Sequence, residues 1–296
     1  MKLGSNDISA VKIGSTDVNK IYIGSTEVWT SFTGLLDTYS GAAAAYSLRR
    51  LSSTYEGSAI EVRRASDNAT QDIGFVNNEL DTSTLSTFCS GTNGFVTTWY
   101  DQSGNGYDAT QTTASNQPQI VSSGSVINEN GKPTVQFDGS NDIMSLNTVA
   151  NNPSYLAIIS VHRPTGNGVV FGYRTDTTEL IQHNNQSTVD MRLQIRSSST
   201  AIITLSITTT ASQKLAFSQF DNVTPLHSLA VDSTNITTNS TAMAGTLDAT
   251  ENYIGGTYLN ASIYTGNIQE IIIYNSNQSS NRTGIETNIN DFYSIY

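Results

Sequence analysis

Residues 266–274 read GNIQEIIIY, and the phase of this run decides the fold. Alternate side chains of a strand point to opposite faces. Ile268, Glu270, Ile272 and Tyr274 then share one face, and Ile271 and Ile273 share the other. Both faces are largely apolar, the pattern of a strand covered on both sides. The run is predicted to be a central strand of a layered β domain, with Glu270 as its one charged, inward-facing group.

Similar runs recur on either side. Strands are predicted at 59–64, 95–100, 134–137, 155–161, 168–173, 191–196, 202–208, 214–220 and 228–232, with Gly, Asn, Asp and Ser clusters such as 103–106 and 138–141 between them. Many short strands alternating with turns predict a sandwich or jelly roll. Residues 34–46, GLLDTYSGAAAAY, read as a short helix or a tightly packed buried segment. Near the end, Ile285, Ile289 and Phe292 fall at helical spacing behind Ser279 or Ser280 as a cap, which predicts a short closing helix. No Pro/Gly linker interrupts 34–296, so this stretch is expected to be one domain.

Only 13% of the residues are charged, and the net charge of -11 comes from scarce Lys and Arg rather than from an acidic run. That balance disfavours phosphate-mediated nucleic-acid binding. The single cysteine, Cys89, cannot form an internal disulfide and reads as a core residue. The opening MKLGSNDISA lacks the apolar core of a secretory signal, and no stretch has the 18 apolar residues of a membrane span. Synthesis in a cytoplasm and a soluble product are the expectation.

The first 33 residues differ from the rest. Three near-copies of one phrase follow each other: LGSNDISAVK (3–12), IGSTDVNKIY (13–22) and IGSTEVWTSF (23–32). Each reads as a tight turn plus a strand, and the three together predict a small meander. Its apolar face, built from Val11, Ile13, Ile21 and Ile23 with Tyr22 and Trp29 beside them, is too small to be stable alone. The segment 1–33 is therefore expected to anchor the chain to another surface, with Trp29 at the junction with the body.

Few residues carry an obvious chemistry. His162, His183 and His227 lack the spacing of a transition-metal site. The acidic turns at Asp101 and Asp108 (DQSGNGYD) and at Asp138 and Asp142 (DGSND) offer oxygen ligands for calcium, though Asn-Gly-rich turns explain them equally well. Tyrosines and two tryptophans offer stacking faces for sugars, with Trp99 read as a core aromatic.

Two longer runs carry a resemblance. AYSLRRLSSTYEGSAIEVRRASDNATQDIGF (45–75) and FCSGTNGFVTTWYDQSGNGYDATQ (88–111) resemble the amino-terminal part of the catalytic domain of B-type α-L-arabinofuranosidases, a sandwich related to concanavalin A. PTVQFDGSNDIMSL (133–146) and the segment 266–293 are similar to strands of laminin-G-like jelly rolls. The resemblance implies an all-β, concanavalin A-like jelly roll from 34 to 296, behind the repeat meander.

It also implies a retaining pair of carboxyls about 5–5.5 Å apart. The acid/base of the family follows a Gly-Gly pair, which here is Gly255-Gly256 followed by Thr257, and a threonine hydroxyl cannot serve as that acid. Asp176 and Glu179 fall near the family's nucleophile, and Glu270 is a further candidate read first as a structural hydrogen-bonding residue. The repeat prefix is similar to amino-terminal segments of structural proteins of phages. Together these imply a non-enzymatic virion protein, a capsid decoration, head fibre or tail fibre assembled in the host cytoplasm. Its partners would be other virion proteins, copies of itself as an oligomer such as a trimer, and host glycans, with no nucleic acid, no membrane insertion and no cofactor beyond calcium. The alternative is an active glycoside hydrolase or depolymerase of arabinofuranosidase type.

Overall fold

The strand Thr265–Tyr274 lies antiparallel against Tyr155–Pro164, with Ala157 opposite Tyr274 and Pro164 opposite Gly266, and both are buried over nearly their whole length. These features come from a computed structural model that describes residues 2–3, 6–7, 11–18, 20–174, 180–198, 202–248, 251–257 and 262–296. The pairing steps from Val161–Glu270 to His162–Ile268 and leaves Gln269 over as a β-bulge. An extra residue reverses the phase of everything beyond it. Ile268 therefore joins Ile271 and Ile273 in one core while Ile272 and Tyr274 face another, which corrects the strict alternation predicted for this strand.

From this centre one arm of the sheet runs through Tyr155–Pro164, Lys214–Asp221, His227–Val231 and Asn235–Asn239. Val135–Asp138 and Ala44–Ser47 share the other edge of the central strand. A second arm runs Met144–Asn147, Glu251–Ile254, Gly168–Arg174, Leu180–Ser187, Asp190–Arg196 and Ile203–Thr208. Gly94–Trp99 joins the arms by pairing with both Ala109–Thr110 and Gln119–Ser122. Among the described residues these pairings make one nearly closed antiparallel sheet of 19 strands.

The two arms enclose the main core. Ile158, Phe220 and Leu229 meet Phe171, Ile181, Leu193 and Leu205 there, along with the buried Cys89 and Trp99. On the other side of the first arm, Ile159, Phe217 and Ile272 pack under the closing helix Arg282–Tyr293 through Ile285, Ile289 and Tyr293. That helix starts behind Asn281, later than the serines read as its cap. Residues 34–46 divide into a single helical turn, Leu35–Thr38, and the buried strand Ala44–Ser47. No helix among the described residues is long and apolar enough to cross a membrane.

The repeats form three separate two-stranded hairpins, not one meander: Lys2–Leu3 with Asn6–Asp7, Val11–Ile13 with Thr16–Val18, and Lys20–Ile23 with Thr26–Thr30. Gly14 and Gly24 sit at φ +65 and +63, the left-handed backbone that a two-residue hairpin turn needs. Each hairpin thus straddles two copies, its first strand ending one phrase and its turn and second strand lying in the next. Val11 and Ile21 are half-buried, whereas Ile13 and Ile23 are 76% and 72% exposed and Tyr22 is also exposed. Trp29 pairs with Ile21 through its backbone, and its side chain lies outside the described residues. Among the described residues both hydrophobic cores begin at or after Leu35.

Candidate functional site

Strands of the second arm show one face to the core and one outward. Ile181 faces the core from Leu180–Ser187, as Met191, Leu193 and Ile195 do from Asp190–Arg196. The alternate positions carry Gln182, Asn184, Arg192 and Gln194, so the outward face is built of amides and one guanidinium. Gln182 stands opposite Gln194 and Asn184 opposite Arg192, and Asn184 Nδ2 donates to Gln194 Oε1 at 2.9 Å. Arg192 is held by Asp190, Nε to Oδ2 at 3.0 Å. With Asn167, Asn185, Gln186 and Ser262 these side chains line a cleft of ≈ 170 Å³.

Gly172, paired with both Gln182 and Tyr253, marks where the Gly255-Gly256-Thr257 turn passes the same strand. A Cβ at Gly172 would lie 3.0 Å from the Gly256 carbonyl and 3.3 Å from Thr257 Cγ2. Thr257 itself is fully buried.

Beneath the cleft runs a buried polar chain. Asn185 Nδ2 donates to the Asp190 carbonyl, so its Oδ1 must accept, from His162 Nε2 at 3.0 Å. His162 Nδ1 then accepts from Ser160 Oγ at 2.9 Å, and Ser160 Oγ accepts from His183 Nε2 at 2.7 Å. Ser218 Oγ completes the chain by donating to His183 Nδ1 at 2.8 Å. With burial keeping both imidazoles neutral, the Asn185 end fixes every proton position, and both rings are Nε2–H tautomers. Burial holds His183 down to about 3 and His162 well below the ordinary imidazole range. These two histidines, separated in sequence, lie with ring centroids 5.9 Å apart, a proximity that sequence spacing conceals.

Glu270 lies elsewhere, buried under the closing helix. It accepts from Arg49 Nε at 2.7 Å and from Ser47 Oγ at 2.7 Å. Asp101 accepts from the backbone N–H groups of Ala45, Ser103 and Tyr107, and Asp108 from that of Asp101. Asp138 and Asp142 likewise accept backbone N–H groups, from Ser140 and Asp138. Their oxygens thus serve as turn acceptors, and no cluster of three or more His, Cys, Asp or Glu that could hold a metal ion occurs among the described residues. Asp176 and Glu179 lie outside the described residues, in the segment that joins two strands of the cleft. Among the described residues that line the cleft there is no carboxyl.

The family described as Alpha-L-arabinofuranosidase B, catalytic, matches residues 37–187, just over half of the chain. A solved arabinofuranosidase complexed with arabinofuranosyl-alpha-1,2-xylobiose shares the fold with a TM-score of 0.68 at 19% identity, over 87% of this chain and 64% of its own. A GH54 α-L-arabinofuranosidase soaked with a cyclic sulfate inhibitor gives a TM-score of 0.67 at 19% identity, over 87% and 65%. The chain thus spans less than two thirds of the length of these structures. No curated protein matches it.

The family match overturns the expectation of a non-enzymatic structural protein of a phage virion, because the matched unit is a catalytic domain. The match ends at residue 187, well before the Gly255-Gly256-Thr257 turn, and does not extend to Thr257. From its buried strand Ala44–Ser47 to the cleft strand Leu180–Ser187, the chain belongs to the α-L-arabinofuranosidase B catalytic family.

Proposed function

We propose that the chain is a glycoside hydrolase of α-L-arabinofuranosidase type on a concanavalin A-like jelly roll. The observation that carries this reading is that the match to the catalytic family runs through Gly168–Arg174 and Leu180–Ser187, two strands that line the amide cleft. Gln182, Asn184, Arg192 and Gln194 would hold sugar hydroxyls there, with the amides both donating and accepting. Residues 175–179, TDTTE, join these two strands, and Asp176 and Glu179 are the carboxyls of that join.

In this reading one carboxylate attacks the anomeric carbon while the other carboxyl protonates the departing glycosidic oxygen. The second group, now a carboxylate, then takes a proton from the water that frees the enzyme. Thr257, buried beside the cleft strand, supplies no acid. The hairpins of 1–33 dock this catalytic body to a partner surface, a role supported by the exposure of Ile13 and Ile23.

Incubation with 4-nitrophenyl α-L-arabinofuranoside tests the reading. Release of nitrophenol is expected, reduced about 10²–10⁴-fold by Asp176→Asn and by Glu179→Gln. No release by the unaltered protein, or release untouched by both substitutions, overturns it.

A further inference from the structure

The chain carries four Asn-Gly pairs, at 93–94, 105–106, 130–131 and 167–168. Such pairs are chemically labile. Glycine has no Cβ to shield its amide nitrogen, so that nitrogen can reach the side-chain carbonyl carbon of the asparagine before it. In a folded chain the outcome depends on what holds the asparagine side chain.

Three of the four side chains are tied. Asn93 Oδ1 accepts from the Ser123 N–H at 2.7 Å. Asn105 Nδ2 donates to the carbonyls of Ala42 and Ala43, both at 3.0 Å, and Asn130 Nδ2 donates to those of Tyr293 and Ser294 at 2.8 and 3.1 Å. Asn167 differs. Its carbonyl accepts from the Thr265 N–H at 3.2 Å, which holds the backbone, but its side chain is exposed in the amide cleft and bonds to no described residue.

The fold also fixes the other half of the pair. Gly168 sits at φ +134, and a Cβ there would lie 2.4 Å from both the Ile263 carbonyl oxygen and Tyr264 Cα. A larger residue is excluded, so an unshielded nitrogen always follows Asn167 in the cleft wall.

We propose that Asn167 is a self-modification site of the amide cleft. The Gly168 nitrogen gives up its proton and bonds to Asn167 Cγ, while the bond from Cγ to the side-chain nitrogen breaks and releases ammonia. A five-membered succinimide results. Water then adds to one of its two carbonyl carbons and breaks the ring bond to nitrogen, leaving aspartate or isoaspartate. Water is the one co-reactant, and nothing is oxidised or reduced. The product turns a group that both donates and accepts into an acceptor alone, and brings a carboxylate to a cleft whose described lining has none.

The full chain, kept folded in warm, mildly alkaline buffer and sampled over time by peptide mapping with mass spectrometry, tests this. Each hydrogen bond that must open first holds a tied amide back by about fivefold, so Asn167 is expected to convert at least that much faster than Asn93, Asn105 and Asn130. The same incubation in urea should bring the four rates together. Isoelectric focusing of the folded sample should show a new band shifted by one negative charge, labelled by isoaspartyl methyltransferase and absent from Asn167→Gln. An unaltered Asn167 in the folded chain, under conditions where the unfolded chain converts, overturns the proposal. So does conversion of any tied asparagine as fast as Asn167. These readouts are mass and charge, so they stand apart from any glycoside hydrolysis.

Discussion

Arg49 grips Glu270 with two nitrogens, Nε at 2.7 Å from Oε2 and a terminal nitrogen at 3.0 Å from Oε1, and both residues are buried. The Tyr293 hydroxyl approaches the same carboxylate at 3.3 Å, and Arg49 also donates to Asn288 at 3.0 Å. The pair therefore ties the central strand to the closing helix. Glu270→Gln removes one charge and strands the other, which is expected to lower stability by about 3–5 kcal/mol. Urea unfolding reads the loss, while turnover per folded molecule should not change. Loss of turnover at unaltered stability would instead make Glu270 a catalytic group.

The neutral histidines set an acid limit. Unfolded imidazoles take up protons through about 6.5, whereas burial keeps the folded His183 neutral down to about 3. In that window the unfolded chain binds more protons, so stability is complete above 6.5 and falls as pH drops toward 3. His183→Gln, which can keep both hydrogen bonds, should lose less stability between pH 7 and pH 4 than the parent. Equal losses would refute this. Nitrogen NMR should report both His162 and His183 as Nε2–H tautomers.

Asp142 acts in the opposite direction. Burial raises its carboxyl to about 7, against the donation from the Asp138 N–H that lowers it. Between about 4 and 7 the folded state holds a proton that the unfolded state has released, so this residue's contribution declines as pH rises. Thermal unfolding of Asp142→Asn should gain on the parent between pH 4.5 and pH 7.5. Parallel pH profiles for the two proteins would show that the carboxyl is not held protonated.

Removal of residues 1–33 should leave the body folded. Among the described residues, none before Leu35 belongs to either hydrophobic core, and the first helical turn is closed locally by Asp37, which accepts from the Gly34 N–H at 2.7 Å. The truncated chain is expected to unfold at the same temperature within a few degrees and to hydrolyse the aryl arabinofuranoside at the same rate. A drop of more than about 10 °C would mean that the hairpins support the body.

Much of the fold was legible because strand phase is a local property. The runs at 155–161, 168–173, 191–196 and 214–220 all became strands extended by no more than three residues at either end. Leu180–Ser187 was missed because its outward positions after Leu180 are amides and its inward positions include His183 and Asn185, so hydrophobic alternation is faint. Helix Thr82–Phe88 escaped for a related reason. Its Ser/Thr composition favours turns, and Asp81, accepting from the Thr84 N–H at 2.9 Å, supplies the start signal. The bulge at Gln269 has no signature in a run of isoleucines. The cleft did leave one trace, the period-two spacing of Gln182 and Asn184 and of Arg192 and Gln194.

The self-closed hairpins have a genetic consequence. Because each hairpin completes its own ladder around a Gly-Ser turn, as in Val11–Ile13 with Thr16–Val18, a neighbour can be duplicated or deleted without shifting the register of any strand downstream. Gain or loss of ten residues would therefore lengthen or shorten this segment by a whole unit while the interior of the body stays untouched.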